Sequence, residues 1–188
     1  IHSVPSIGGR RAYIWRVKQT IDSLIAYFAT HLAGMLAVPL EHDLPDEDFN
    51  RIRTLLTNSE PLGSSVPPIR DSKLFLLWQA AKADYTLHSS LFVIRPPYPP
   101  IEGGGDILFT TGTTGQSKGV MVSSSAILAN AENLVEAHQY TPDLTFIVCG
   151  PLNHIGSLSK IWAAVMAGCT IHILPGMKDL LMFFQAVN

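Results

Sequence analysis

Cysteine is scarce in this sequence, with only 2 cysteines among 188 residues. Cys149 and Cys169 are too few, and lie in surroundings too apolar, for a disulfide framework or a zinc site. We expect each to act as a small hydrophobic side chain. This usage suits a reducing compartment, so the sequence favours a cytoplasmic protein without a signal peptide.

An excess of charge of one sign is lacking as well. The chain has 13 Lys and Arg residues and 15 Asp and Glu residues, which gives a formal net charge of −2. This balance gives no electrostatic reason to expect binding to nucleic acid or to an anionic membrane. The acids clustered between positions 41 and 48 lack the spacing of a calcium loop, and they suit the first turn of a helix that follows Pro45.

No hydrophobic run is both long enough and apolar enough for a membrane span. The longest one, residues 24–40, contains Thr30 and His31 and ends in a Val-Pro step. We interpret it as a buried helix followed by a strand, so the sequence predicts no integral membrane segment.

Segments with strand-like and helix-like apolar patterns alternate along the chain. The first predicted helix begins at Thr20 or Asp22 and ends at Gly34, with an apolar stripe made of Ile21, Leu24, Ile25, Phe28 and Leu32. Further helices are predicted at 45–56, 71–81 (or a strand at 74–77), 123–137, 155–167 and 178–187, and strands at 12–15, 36–40, 90–94, 119–123, 145–149 and 170–174. This alternation predicts an α/β fold with mixed, largely parallel sheets and flanking helices.

Residues 96–105 combine Pro96-Pro-Tyr-Pro-Pro100 with three consecutive glycines at 103–105. Prolines of this kind occur in segments that bind an aromatic groove on a partner protein. Here, however, three glycines and a strand-like apolar segment follow directly. We therefore interpret the segment as a surface connector.

The connector leads into a loop rich in Thr and Gly, Phe109-Thr-Thr-Gly-Thr-Thr-Gly-Gln-Ser-Lys-Gly-Val120. Glycines let the backbone come close to a ligand, threonine hydroxyls donate hydrogen bonds, and Lys118 supplies a cation, a combination that suits a polyphosphate. The loop is not a Walker loop, because Ser117 and Gly119 flank the lysine. From the residues alone, a plain hairpin turn is an equal alternative.

The loop resembles the signature loop of the adenylate-forming superfamily, which includes acyl-CoA synthetases, adenylation domains of peptide synthetases and luciferases. It departs from the family pattern, aromatic-Thr-Ser-Gly-Thr-Thr-Gly-x-Pro-Lys-Gly-Val, at Thr111 and Ser117. Two more segments are similar to family motifs in the same order, namely residues 25–40, which end in Val-Pro-Leu, and residues 151–174, which begin Pro-Leu-Asn-His-Ile-Gly. These three ordered matches favour a phosphate loop over a hairpin turn.

The resemblance implies ATP-dependent activation of a small-molecule carboxylic acid, fatty or aromatic, to an acyl-adenylate, and transfer of the acyl group to coenzyme A. In such an acyl- or aryl-CoA ligase, the loop holds the β- and γ-phosphates and Lys118 offsets the charge that develops on pyrophosphate. The resemblance also implies that His154 lines the acid site, although a lone histidine is more often structural. The implied phosphate-binding residues are Thr110, Thr111, Gly112, Thr113, Thr114, Gly115, Lys118 and Gly119.

The later motifs of the family cannot be assigned in this sequence. They comprise adenine- and ribose-binding segments, a carboxylate that holds Mg²⁺, and a small C-terminal domain with a catalytic lysine. We therefore expect residues 1–188 to form a single, partial N-terminal AMP-binding domain, with the connector at 96–105 and the phosphate loop at 109–120. A nucleotide-binding chain without turnover is an alternative, and the oligomeric state is open, a homo-oligomer included.

A serine hydrolase is the second alternative. Gly115-Gln-Ser-Lys-Gly119 matches the Gly-x-Ser-x-Gly pattern, and Asp143 and His154 follow in the order of an α/β-hydrolase triad. In an α/β-hydrolase, the nucleophilic serine is followed directly by a helix, whereas residues 120–122 of this chain have a strand-like pattern. We therefore favour the adenylate-forming interpretation.

Overall fold

The structure is a computed structural model of the chain, and it describes residues 6–7, 10–57, 104–110, 118–176 and 180–187. The strands in these ranges are β1 Ser6–Ile7, β2 Arg10–Arg16, β3 Leu36–Leu40, β4 Gly105–Thr110, β5 Lys118–Ser123, β6 Thr145–Val148 and β7 Thr170–Ile173. The helices are α1 Ile21–Leu32, α2 Asp46–Thr57, α3 Ser124–His138, α4 Ile155–Ala167 and α5 Leu180–Val187.

The strands form two sheets. The larger has the order β1-β2-β3-β4-β5, in which β2, β3 and β4 are parallel and the outer strands β1 and β5 are antiparallel to their neighbours. The smaller consists of the parallel pair β6 and β7. The predicted α/β class, with mixed, largely parallel sheets and flanking helices, is confirmed.

Helices cover both faces of the larger sheet. Successive residues of its central strands point to opposite faces and so pack in two different apolar clusters. Ala37 and Leu108 pack in one cluster with α1, α3 and α4. Leu36, Val38 and Ile107 pack in the other with α2. Every residue of β3 is buried, which is the usual condition of a strand inside a parallel sheet.

Local sequence signals mark the helix ends as predicted. The side chains of Thr20 and Ser123 cap the first turns of α1 and α3 by accepting a hydrogen bond from a backbone N–H. Gly34 follows α1 with φ 62°, and Gly168 follows α4 with φ 78°. Only glycine adopts this left-handed conformation without steric cost, so each of these residues stops its helix.

The apolar stripe predicted for α1 is only partly buried: Leu24 is buried and Phe28 packs against the core, but the stripe does not centre on the buried face. The buried residues of α1 are Leu24, Tyr27, Thr30 and His31. Ile21 and Ile25 of the predicted stripe are 66% and 60% exposed. The helix is turned because Tyr27 and His31 make polar contacts with β4, and a search for apolar periodicity cannot detect such contacts.

Several predictions fall on parts of the chain outside the described residues. They concern the helix at 71–81, the strand at 90–94 and most of the connector at 96–105. Gly105, the last residue of that connector, is the first residue of β4. The hydrophobic run at 24–40 forms most of α1 and then β3, as predicted. Within the described part of the chain, no helix has the length and apolar character needed to cross a bilayer.

Gly105 lies where the β4–β5 hairpin leaves the sheet, opposite Ser123. A Cβ atom at this position would be 2.6 Å from the carbonyl oxygen of Val122. We expect Gly105→Ala to lower the free energy of unfolding by about 1–3 kcal/mol, because the two strands must move apart. Urea unfolding measures the change.

Gly156→Ala is the matched control, because an added Cβ on this residue of α4 has no atom within 4 Å. This variant should be neutral or slightly more stable than the parent protein, since alanine favours helix over glycine. Equal stability of the two variants would contradict the close strand contact at Gly105.

Candidate active site

A cleft of about 790 Å³ opens where the carboxyl ends of parallel strands from both sheets meet. The segments that follow β2, β3, β6 and β7 form its walls together with the last residues of β4. Its lining residues are Val17, Lys18, Gln19, Pro39, Leu40, Glu41, His42, Asp43, Leu44, Ile52, Leu108, Phe109, Pro151, Leu152, Asn153, His154, Ile155 and Pro175. In α/β proteins, the crevice beyond the carboxyl ends of the strands is the usual place for a ligand.

One long-range hydrogen bond ties the two sheets together at this cleft. The side-chain nitrogen of Gln19, which follows β2, donates to the carbonyl oxygen of Gly150, which follows β6, over 2.9 Å. Gly150 is itself closely packed, since an added Cβ would lie 2.4 Å from Ser157 Oγ in α4. The contact therefore holds the two walls of the cleft at a defined separation.

His154 lies on the wall of the cleft, at the N-terminal end of α4. Its carbonyl oxygen accepts hydrogen bonds from the backbone N–H groups of Ser157 and Leu158, over 3.1 and 3.0 Å. Its side chain makes no capping hydrogen bond and is exposed, so the imidazole is accessible to a ligand. The same helix end carries a partial positive charge, which favours an anion in the cleft.

An antiparallel hairpin formed by β4 and β5 brackets the predicted phosphate loop. Thr110 pairs with Lys118 in the last step of the ladder, so residues 111–117 connect the strands. A two-residue turn is enough for a hairpin, and this connection is longer. The predicted residues outside the described part of the chain are Thr111, Gly112, Thr113, Thr114 and Gly115, together with the side chain of Thr110.

Lys118 and Gly119 are the predicted loop residues whose positions are fully described. Lys118 is exposed at the start of β5 and is not part of the cleft lining. Gly119 pairs with Phe109, and an added Cβ would lie 3.2 Å from the phenyl ring. Phe109 lines the cleft. The structure thus brings His154 and Phe109 to one cleft. Lys118 lies on β5, the strand that pairs with the strand of Phe109.

The model of the family described as AMP-binding enzyme matches residues 16–188. The chain belongs to the family of AMP-binding enzymes.

Relatives and solved structures agree with this membership. A protein of Humulus lupulus described as a probable CoA ligase is 27% identical over an alignment of 198 positions. The alignment covers 90% of this chain and 31% of that protein. ATP-bound MatB from Rhodopseudomonas palustris matches with a TM-score of 0.56 at 20% identity, over 95% of this chain and 39% of MatB. A malonyl-CoA ligase with methylmalonyl-CoA and AMP bound matches with a TM-score of 0.61 at 20% identity, over 92% of this chain and 37% of that chain. The chain therefore spans less than half the length of each of these proteins.

The serine hydrolase alternative does not fit the geometry of this chain. The residues directly after Ser117 form β5, where a nucleophile elbow needs a helix. Asp143 precedes β6 and His154 follows it, so the other two members of the supposed triad lie beyond opposite ends of a strand. A hydrogen bond with the Thr141 side chain lowers the pKa of Asp143, which places this acid in a local turn.

Four of the five acidic residues between positions 41 and 48 are engaged in ion pairs or line the cleft. Asp46 pairs with Arg16, and Asp48 pairs with Arg51 over 2.8 Å. Glu41 and Asp43 line the cleft. In the part of the chain that the structure describes, no group of three or more His, Cys, Asp or Glu residues is placed to hold a metal ion.

A buried polar network below the hairpin was not anticipated from the sequence. Asp106, the second residue of β4, is 0% exposed. Tyr27 donates its hydroxyl proton to Asp106 Oδ2 over 2.7 Å, and His31 Nε2 lies 2.8 Å from Asp106 Oδ1. Trp162 Nε1 donates to the Tyr27 oxygen over 2.9 Å. We call these four residues the Asp106 network, and they join α1, β4 and α4.

Two sequence signals were available for this network. Tyr27 and His31 are four residues apart on an otherwise apolar helix, so they share one face. Asp106 stands directly before the apolar strand that enters the loop. Neither signal identifies the partner, because the two segments are more than 70 residues apart in the chain.

Burial raises the pKa of Tyr27 well above its usual value, and the nearby Asp106 carboxylate raises it further. Tyr27 is therefore protonated at neutral pH and donates to Asp106. When folding raises the pKa of a group, its contribution to stability is complete at pH values below its pKa in the unfolded chain, which is near 10 for tyrosine. That contribution is lost as the pH rises above this value.

We expect Tyr27→Phe to lower the free energy of unfolding by about 1–3 kcal/mol at pH 7, because Asp106 and Trp162 each lose a partner. Above pH 10 the parent protein should lose stability more steeply than the variant, because only the parent must keep this phenol neutral. Urea unfolding at pH 7 and at several alkaline pH values tests both statements. Parallel pH curves for the two proteins would contradict the second.

Proposed function

We propose that this chain provides the phosphate loop and part of the acid-binding cleft of an enzyme that activates a carboxylic acid with ATP. The observation that supports this most is the convergence of the β4–β5 hairpin and the N-terminal end of α4 on one cleft, in a chain of the AMP-binding family. ATP and a carboxylate are both anions. A helix N-terminus and a loop rich in donors suit them both.

The proposed first step forms a bond between a carboxylate oxygen and the α-phosphorus of ATP. The α-phosphorus loses its bond to the oxygen that bridges it to the β-phosphorus. Pyrophosphate leaves with the electron pair of that bond. In the proposed second step the thiol of coenzyme A attacks the acyl carbon and loses its proton to solvent, and AMP leaves. The names of the relatives as CoA ligases support coenzyme A as the acceptor.

The residues of this chain would act on the phosphates and on the acid. Lys118 would offset the charge that develops on pyrophosphate, and His154 would line the acid site beside the N-terminal end of α4. The proposed phosphate donors and positions of close approach are Thr110, Thr111, Gly112, Thr113, Thr114, Gly115 and Gly119.

Several finer statements remain predictions from the sequence. They are the partial N-terminal domain at 1–188, a fatty or aromatic acid as substrate, a cytoplasmic location and a homo-oligomer. Mg²⁺ belongs with them as well, and among the described residues no group of three or more His, Cys, Asp or Glu side chains is placed to hold it. The second candidate is nucleotide binding without turnover, which the 31% coverage of the Humulus lupulus protein favours for the chain by itself.

Acid-dependent exchange between ATP and pyrophosphate, measured with a pool of fatty and aromatic acids, tests the proposal. Exchange above the blank without acid supports adenylation by this chain. ATP binding without exchange supports the second candidate. A chain that neither binds ATP nor catalyses exchange would contradict both.

We expect Lys118→Ala to lower the exchange rate by about one to three orders of magnitude, on the scale of removing one transition-state donor. Lys160→Ala is the matched control, because Lys160 is an exposed lysine of α4 outside the cleft lining. If the chain binds ATP without exchange, the same two variants are compared by their dissociation constants for ATP. Equal effects of the two substitutions would remove Lys118 from the mechanism.

A further inference from the structure

Strand pairing joins the β4–β5 hairpin to the parallel part of the sheet only at its base, and Ile107 and Leu108 beyond it are held by side-chain packing. β4 pairs with β5 along its whole length, but it pairs with β3 only at Gly105 and Asp106. From Ile107 onward, β5 is the sole strand partner of β4 within the described residues. Among the described residues, β5 is the edge strand of this sheet, and most of its residues are exposed. Strand pairing alone therefore gives the hairpin a narrow attachment.

Asp106 lies at that attachment, and its carboxylate makes contacts that strand pairing does not provide. Both of its oxygens contact side chains of α1, through Tyr27 and His31. Through Tyr27, the same carboxylate is connected to Trp162 of α4. One chain of hydrogen bonds therefore links the base of the hairpin to α4, the helix whose N-terminal end lies at the cleft.

The surroundings of Asp106 restrict its geometry. The ring centroids of Tyr27 and His31 are 4.7 Å apart, and those of His31 and Trp162 are 5.2 Å apart, both in edge-to-face orientation. His31 Nδ1 is buried without a hydrogen-bond partner, so Asp106 supplies the one hydrogen bond of this ring among the described residues. In a site that excludes water, hydrogen bonds to a carboxylate are strong and tolerate little displacement.

We propose that Asp106 is a positioning residue for the phosphate loop, because its hydrogen bonds to α1 set the direction in which the β4–β5 hairpin leaves the sheet. The end of β4 and the start of β5, which flank the loop, are thereby placed relative to the cleft. The inference rests on the proposed function where it names phosphate as the ligand. The placement of the hairpin does not depend on that function.

The first test measures the placement of the hairpin without any ligand. Nitroxide labels are attached to Val120→Cys on β5 and Lys160→Cys on α4, both exposed positions, in a background with Cys149→Ala and Cys169→Ser. Asp106→Asn keeps the size of the side chain but leaves one acceptor in place of two. We expect the distance distribution between the labels to broaden or shift by about 3 Å, roughly one residue of strand. An unchanged distribution in the folded variant would overturn the proposal.

Thr30→Val is the matched control. Thr30 is a buried polar residue of the same helix, and its hydroxyl donates to the carbonyl oxygen of Ala26 over 2.7 Å without reaching β4. This variant should unfold more easily but keep the label distance of the parent. A broadening equal to that of Asp106→Asn would mean that general loss of stability moves the hairpin, and the proposal would fail.

The second test measures ATP binding by the folded fraction of each protein. Asp106→Asn should raise the dissociation constant for ATP about ten- to a hundredfold, the scale of losing one hydrogen bond to a charged group. Thr30→Val should leave the constant within about twofold, because partial unfolding lowers the amount of active protein and not its affinity. An equal constant for Asp106→Asn and the parent would overturn the proposal.

Two further outcomes separate the possible failures. If Asp106→Asn does not fold, Tyr27→Phe, which removes one of the two contacts with Asp106, is measured in its place, and no change in label distance would overturn the proposal. If the parent chain binds no ATP, the proposed function fails by itself. The label distances still decide whether Asp106 sets the direction of the hairpin.

Discussion

A carboxylate without access to solvent must find hydrogen-bond donors inside the protein, and this requirement organises the centre of the molecule. Asp106 meets it with Tyr27 and His31 of α1, and Trp162 of α4 completes the network. Replacement of such a buried polar group by a well-packed apolar set is often neutral for stability. The significance of the network is therefore geometric, since it connects the strand and the helix that both reach the cleft.

The elements of this fold that could be predicted are those determined by neighbouring residues. Thr20 and Ser123 begin helices, and Gly34 and Gly168 end them, because capping and left-handed conformations depend on a few adjacent positions. The alternation of strand-like and helix-like segments predicts the parallel sheets, and each segment is recognised from neighbouring residues. The hairpin around the loop follows from its two flanking apolar strands.

The orientation of α1 and the Asp106 network could not be predicted in this way. Hydrophobic periodicity treats a buried histidine or tyrosine as an interruption, whereas here these side chains face the interior. Their partner is distant in the chain, so no local pattern contains it. The position of His154 at the cleft was predicted from a motif, but the cleft itself depends on two sheets meeting. The contact of Gln19 with Gly150, which joins those sheets, has no sequence signature.

The strand pairing between β3 and β4 ends at Asp106, and the next residues of β4 are held by packing in the two apolar clusters. Beyond its base, β4 continues through Ile107–Thr110, about 14 Å at 3.4 Å per residue. A rotation of about 5° at the base would displace the far end by about 1.2 Å, a distance that matters when a leaving group must be aligned with an attacking atom. A rotation of this size would also displace Ile107 and Leu108, which are packed in the two apolar clusters, so the core resists it. The position of the far end of β4 therefore depends closely on the geometry at its base, where Asp106 lies.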